Sequence, residues 1–240
     1  TPAEITRWNA LLASVADEMG IALGRTGHSP NIRERRDYSC GVFDAAGQLV
    51  AQAAHIPVHL GAMADAISSV QVLAPWKPGD MAILNDPFLG GTHLPDISLV
   101  APVFWEGELV AFVSNRAHHA DIGGMSPGSM PLSTELYQEG LIIPPLRLYD
   151  GGALNEALLA LILRNVRTPA ERRGDFEAQI AAIRTGERRL HGLLGRHGPE
   201  RVTARMSDLQ DYSERLVWEA ISHIPPGRYF AEDSVEVGDG

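Results

Sequence analysis

Two rhythms of apolar and polar positions run along the chain. Residues 3–24 place Ile5, Trp8, Leu11, Leu12, Val15 and Met19 three and four apart, the spacing of one helix face, so an amphipathic helix opens the chain. Gly24 and Gly27 are expected to end it. A two-residue period follows: runs 38–44 and 48–52, joined by Ala45-Ala46-Gly47, predict a hairpin whose turn uses glycine at positive φ. Helical spacing returns over 60–73 (Leu60, Met63, Ala64, Ile67, Val70, Val72). "KPGD" then turns the chain into a strand at Met81-Ala82-Ile83-Leu84, closed by Asn85-Asp86-Pro87. Runs 97–104 and 109–115, separated by Glu106-Gly107-Glu108, predict a second hairpin of largely buried strands. From 154 to 223 the rhythm is helical: "LNEALLALILRNV", then 170–196 after Thr168-Pro169, then 199–222 after Gly198-Pro199, both prolines where a first helical turn accepts them. "GRYFAEDSVEVGDG" alternates like one more strand.

These elements predict an α+β fold, with β-hairpins and a mixed sheet packed on helices, followed by a helical segment. Three regions follow from the same pattern: 1–153 as the α+β part, 154–223 as the helical part, and 224–240 as the start of a further β region. That last region reads as incomplete, so the chain is expected to be a fragment of something longer.

Composition changes the picture in three ways. With 240 residues, 45% of them hydrophobic, the chain can bury a sizeable core. A net charge of −10 argues against nucleic acid, whose phosphates are bound by clustered Lys and Arg. No apolar run of about 18 residues exists, and the N-terminal helix carries Glu4, Asp17 and Glu18, unlike a signal peptide, so a soluble cytoplasmic protein without a membrane partner is expected. The single cysteine, Cys40, lies among Val42 and Phe43 and reads as a packed thiol rather than a nucleophile.

Candidate chemistry centres on "GGTHLPD", where His93 and Asp96 stand three residues apart. Pro95 disfavours a helix, so the two side chains can converge only through a bent loop. The second hairpin returns its far end beside the start of its first strand, which brings His118 back toward both. Two imidazoles and a carboxylate on non-helical segments suit Zn, Mn or Fe(II) with positions left open for water or substrate. H-x-x-D by itself is equally a polar turn. Adjacent histidines face opposite ways on an extended segment, so His118 and His119 would exchange roles with a one-residue slip. His119-Ala120-Asp121 also fits a pair that orients a ligand from behind. Gly90-Gly91 and Gly123-Gly124 match no phosphate-binding fingerprint and read as flexible loops. "RERR" at 33–36 reads as a solvated face. His55 and His59, around Pro57, read as core or supporting histidines, and His191, His197 and His223 as surface positions.

Five blocks in this order, "SPNIRERRDYSCGVFD", "NDPFLGGTHLPDISLV", "NRAHHADIGGMSPGS", "LYQEGLIIPP" and "GDFEAQIAA", resemble the hydantoinase B family, which includes the C-terminal half of 5-oxoprolinase and subunits of caprolactamase and acetone carboxylase. The resemblance spans residues 29 to about 182 and also implies a longer whole protein. It implies a divalent metal (Zn, Mn or Fe) held by Asp37, His93, Asp96 and His118. It further implies a hetero-oligomer with a hydantoinase A-type ATPase subunit that uses ATP to phosphorylate a small cyclic amide substrate. Metal-bound water would then attack the activated carbonyl, with His119, Asp121 or Glu139 moving the proton. Two alternatives use the same residues: a subunit of an ATP-dependent ketone carboxylase, or a non-catalytic scaffold with a structural metal.

Overall fold

The computed structural model describes residues 1–54, 56, 59 and 61–234. Helix α1 (Pro2–Thr26) starts with a capping box in which the Thr1 hydroxyl accepts from the Glu4 amide and the Glu4 carboxylate accepts from the Thr1 ammonium, and buries Trp8, Leu12, Val15, Met19 and Leu23 along one face. It continues through Gly24, where a Cβ would strike the Tyr38 hydroxyl at 2.4 Å. That glycine serves close packing, and Gly27 alone caps the end. The single turn α2 (Pro30–Arg33) leads through the exposed 33–36 stretch into β1 (Tyr38–Asp44) and β2 (Leu49–Ala54). The Asp44 carboxylate accepts from the amides of Ala46 and Gln48, and Gly47 takes φ +82°, which closes the expected hairpin.

Helix α3 (Ala62–Val70) and a 3-10 turn follow, then β3 (Met81–Leu84), β4 (Asp96–Trp105) and β5 (Glu108–His118). β5 outruns the expected strand by three residues, because Arg116 and His118 still pair with β1 and β4. A short hairpin, β6 (Leu146–Asp150) and β7 (Ala153–Leu154), adds an edge that the hydrophobic pattern did not announce. Helices α4 (Glu156–Arg164), α5 (Pro169–His197) and α6 (Pro199–Ser222) complete the described chain, with Pro169 and Pro199 at the helix starts as expected. Residues 224–234, expected to begin a β region, form no strand, and 235–240 lie outside the described residues.

The strands make one seven-stranded sheet in the order β2-β1-β5-β4-β3-β6-β7, with every described pairing antiparallel rather than mixed. Its fold class is α+β, as the sequence predicts. The period of two sorts side chains strictly. Cys40, Val42, Ile97, Leu99, Ala101 and Val113 point into the larger core with α1 and α5. Phe43, Val100 and Phe112 join Met63, Ile67 and Val70 of α3 on the opposite face. Cys40 is fully buried, and burial pushes its thiol well above the ordinary range, as expected of a packed residue. His191 and His223 are exposed. His197 is half-buried, its ring edge-on to Trp8 at 5.0 Å, so it belongs to the α1–α5 contact rather than the surface.

Candidate metal centre

On the α3 face, the end of the sheet formed by β1, β4 and β5 changes from apolar to polar. Cross-strand pairing sets Ser39 opposite Arg116, Arg116 opposite Ser98, and His118 opposite Asp96. Just ahead of β1, the Asp37 carbonyl accepts from the His118 amide at 2.9 Å, which brings that residue alongside. The H-x-x-D stretch is a tight turn: the Asp96 amide donates to the His93 carbonyl at 3.0 Å, which folds both side chains together. Behind it, Gly90 and Gly91 are not slack. A Cβ on Gly90 would lie 2.5 Å from the Ala66 amide nitrogen of α3, and one on Gly91 would lie 2.3 Å from the Asn85 carbonyl, so the glycines admit close backbone packing rather than flexibility.

Asp96 is the hub. His93 Nδ1 lies 2.9 Å from its Oδ2 and His118 Nδ1 lies 3.3 Å from its Oδ1. Asp37 Oδ2 is 3.8 Å from His118 Nδ1, and the His93 and His118 rings are 4.9 Å apart. Thr92 donates its hydroxyl to Asp96 Oδ2 at 2.5 Å. One set of candidate ligand atoms from His93, Asp96 and His118, and a second from Asp37, His59 and Asp96, each fall within 4.8 Å of one another. Asp37, His93, Asp96 and His118 therefore lie at the same end of the sheet, in two groups that share Asp96.

Two observations are consistent with a cation. Asp96 Oδ1 and His59 Nε2 are buried and make no well-aligned hydrogen bond, although His118 Nδ1 lies 3.3 Å from the first and Asp96 Oδ2 lies 3.4 Å from the second, so both keep capacity for a ligand. The donor set of imidazole and carboxylate also matches a borderline divalent ion. Burial favours a neutral Asp96, but hydrogen bonds with His118, His59 and His93 outweigh it and hold the carboxyl well below the usual carboxylate range. The hydrogen bond to Asp96 raises the His93 pKa against the opposing effect of burial, helped by the charges of Asp37 and Glu139.

His59, read from the sequence as a core or supporting histidine, stands directly against Asp96. It is 1% exposed, its Nδ1 is 3.0 Å from Ser39 Oγ, and its Nε2 is 3.4 Å from Asp96 Oδ2. Its apolar setting in "HIPVHL" left a core and a supporting role open, and the pairing of β1 with β5 sets the polar patch beneath it. The neighbouring His55 lies outside the described residues.

The structure does not bring His119 or Asp121 to this point. His119 turns to the opposite face, fully buried, with Nε2 2.8 Å from Gln179 Oε1 and its ring on Phe176. Asp121 pairs with Arg167 at 2.8 Å and accepts from the Arg167 amide, tying the loop after β5 to the segment before α5. Glu139 accepts from Ser133 at 2.8 Å and lies close enough to His93 for its charge to act there.

Burial pushes the His119 pKa down to about 4. The unfolded chain, with an ordinary histidine near 6.5, then binds the extra proton between those values, so stability falls as pH drops through that window. Urea denaturation at pH 7 and pH 5 should show a smaller loss for His119→Gln than for the wild type.

An antiparallel sheet end carrying a carboxylate hub and converging imidazoles makes this α+β fold a candidate metal-centre protein. The chain belongs to the hydantoinase B/oxoprolinase family, whose model matches residues 2–239. It is 39% identical to the 5-oxoprolinase of Dictyostelium discoideum over 88% of the chain and 17% of that protein. It is 35% identical to the B component of a putative D-/L-hydantoinase from a Pseudomonas species over 92% of the chain and 39% of that component. The crystal structure of the ATP-dependent caprolactamase from Pseudomonas jessenii superposes with a TM-score of 0.89 at 33% identity, covering 98% of this chain and 42% of that one. The chain thus spans between about a sixth and two fifths of these relatives. Among the described residues no helix is long and apolar enough to cross a membrane.

Proposed function

We propose that this chain forms the metal-bearing part of an ATP-dependent cyclic amide hydrolase of the hydantoinase, oxoprolinase or lactamase type. The observation that carries this reading is the convergence of Asp37, His93 and His118 on the buried Asp96 carboxylate. These four residues would hold the ion, Asp96 as the central ligand and His59 against it, kept in orientation by Ser39. Bound there, a divalent cation supplies Lewis acidity, polarising a substrate oxygen and making water available as hydroxide near neutral pH.

His93 is 38% exposed while Asp96 is 1% exposed, so the cluster is closed from within and open on the His93 side. That opening favours a catalytic ion over the saturated site of a structural scaffold. Substrate enters past His93, and Glu139, beside the same opening, takes the proton released when water attacks the ring carbonyl. His119 and Asp121, committed to Gln179 and Arg167, hold the surrounding backbone instead. ATP is used by a partner ATPase of the hydantoinase A type, and the lack of a Walker motif in this sequence agrees with that division. Phosphorylation of the amide oxygen on that partner removes the resonance that protects the ring. Water adds to the ring carbon, the C–N bond breaks with its electron pair and a proton going to nitrogen, and a second water hydrolyses the resulting acyl phosphate to carboxylate and phosphate. The hydantoinase relative is one component of a multi-chain enzyme and the caprolactamase is ATP-dependent, which supports this division of labour.

The test uses the full-length protein with its ATPase partner and a panel of hydantoin, 5-oxoproline and lactams. ATP-coupled ring opening should disappear on chelation and return with Zn, Mn or Fe(II). Full turnover in metal-free protein overturns the reading, and product formation that requires bicarbonate assigns the site to a ketone carboxylase.

A further inference from the structure

We propose that Arg116 is the positioning residue of this centre, a clamp that sets the His93 loop against Asp96. The inference rests on the metal-site reading above and adds a residue to it. Arg116 is fully buried on the same sheet face as His118, two residues earlier. Its Nε donates to Ser98 Oγ on β4 at 2.8 Å, and its Nη2 donates to the Gly90 carbonyl at 2.6 Å and to the Ala62 carbonyl at the start of α3 at 3.4 Å. One planar fork therefore joins β5, β4, the glycine loop leading to His93, and the helix that follows His59. No other buried side chain donates to the carbonyls of that loop among the described residues, except Asn85, which takes Leu94 at its far end.

Burying a guanidinium is expensive, and burial lowers the Arg116 pKa against the opposing charges of Asp96 and Asp65. A fixed positive charge beside a cation site also weakens that site by simple repulsion. What Arg116 contributes is therefore the geometry of its donors, which a lysine's single ammonium cannot reproduce. The two effects have opposite signs, and that makes them separable. If charge dominates, removing it tightens metal binding; if the clamp dominates, removing it loosens binding.

The experiment compares wild type, Arg116→Met, Arg116→Lys and Ser98→Ala in the full-length protein. Zn and Mn titrations should show affinity at least tenfold weaker in both Arg116 variants and about threefold weaker in Ser98→Ala, with an altered Co(II) absorption spectrum. In metal-free protein, amide exchange at residues 91–96 should speed up at least tenfold while Val100 and Val113 keep their protection. A Met variant that binds metal as tightly as wild type, or more tightly, overturns the clamp. If Arg116→Met does not fold, unchanged affinity and unchanged loop exchange in Ser98→Ala overturn it. A wild type that binds no divalent ion refutes the metal reading alone, and the exchange measurement then decides the clamp by itself.

Discussion

Replacing Asp96 with asparagine should lower divalent-cation affinity by more than about 100-fold and abolish ATP-coupled ring opening, a larger loss than any other single change at the centre. A change in an outlying partner of a metal ligand typically costs about 10–100-fold, and Asp96 is the residue that all three imidazoles share. The amide cannot supply a charge at the position where His93, His118 and His59 converge. It also replaces an acceptor oxygen with a donor facing at least one imidazole nitrogen. Metal analysis of the purified variant, beside a thermal melt to establish folding, measures this. An Asp96→Asn protein that retains stoichiometric metal would show that the ion sits elsewhere.

The second large effect is on stability, at Asn85. This fully buried side chain donates to the carbonyls of Leu94 and Leu141 at 2.8 and 2.9 Å and accepts from the Ile143 amide at 2.6 Å. It stitches the end of β3 to the His93–Asp96 loop and to the chain entering β6. Asn85→Ala leaves three backbone groups unpaired, each costing about 1–3 kcal/mol when buried. A loss of roughly 3 kcal/mol or more in urea denaturation is expected, with faster amide exchange at Leu94 and Ile143. Destabilisation below about 1 kcal/mol would mean that water or backbone movement replaces those bonds.

Much of the scaffold was legible because burial is periodic. β1, β4 and β5 each bury one face against long helices and the other against α3, so their apolar runs stand out, and proline marks the starts of α5 and α6. β6 and β7 were not visible. Leu146 is exposed and Arg147 is half-buried on this sheet edge, so no alternation develops, although Gly151-Gly152 between them is a recognisable hairpin turn. The stretch after Arg228 alternates in sequence yet forms no strand through residue 234, since a two-residue period needs a neighbouring strand to pair with.

At the candidate centre, H-x-x-D and the returning hairpin pointed to His93, Asp96 and His118, because antiparallel pairing follows from the turn between the strands. Asp37 came through family resemblance alone. His59 was read only as a core or supporting histidine with no partner named, and Ser39 and Arg116 were out of reach, since their place depends on which strand lies beside which. The order β1-β5-β4 cannot be read from the chain's linear pattern.

On α5, Gln179 Nε2 donates to the Ile97 carbonyl and to Asn115 Oδ1, the Gln179 backbone carbonyl accepts from the Asn115 amide group, and its Oε1 meets His119. One helix residue is thereby pinned to both strands of the hairpin that carries Asp96 and His118. α5 cannot ratchet along its axis by even a single turn of about 5.4 Å without tearing that bolt from the strands. Any force applied along this 29-residue rod is delivered straight to the back of the hairpin that bears the carboxylate hub.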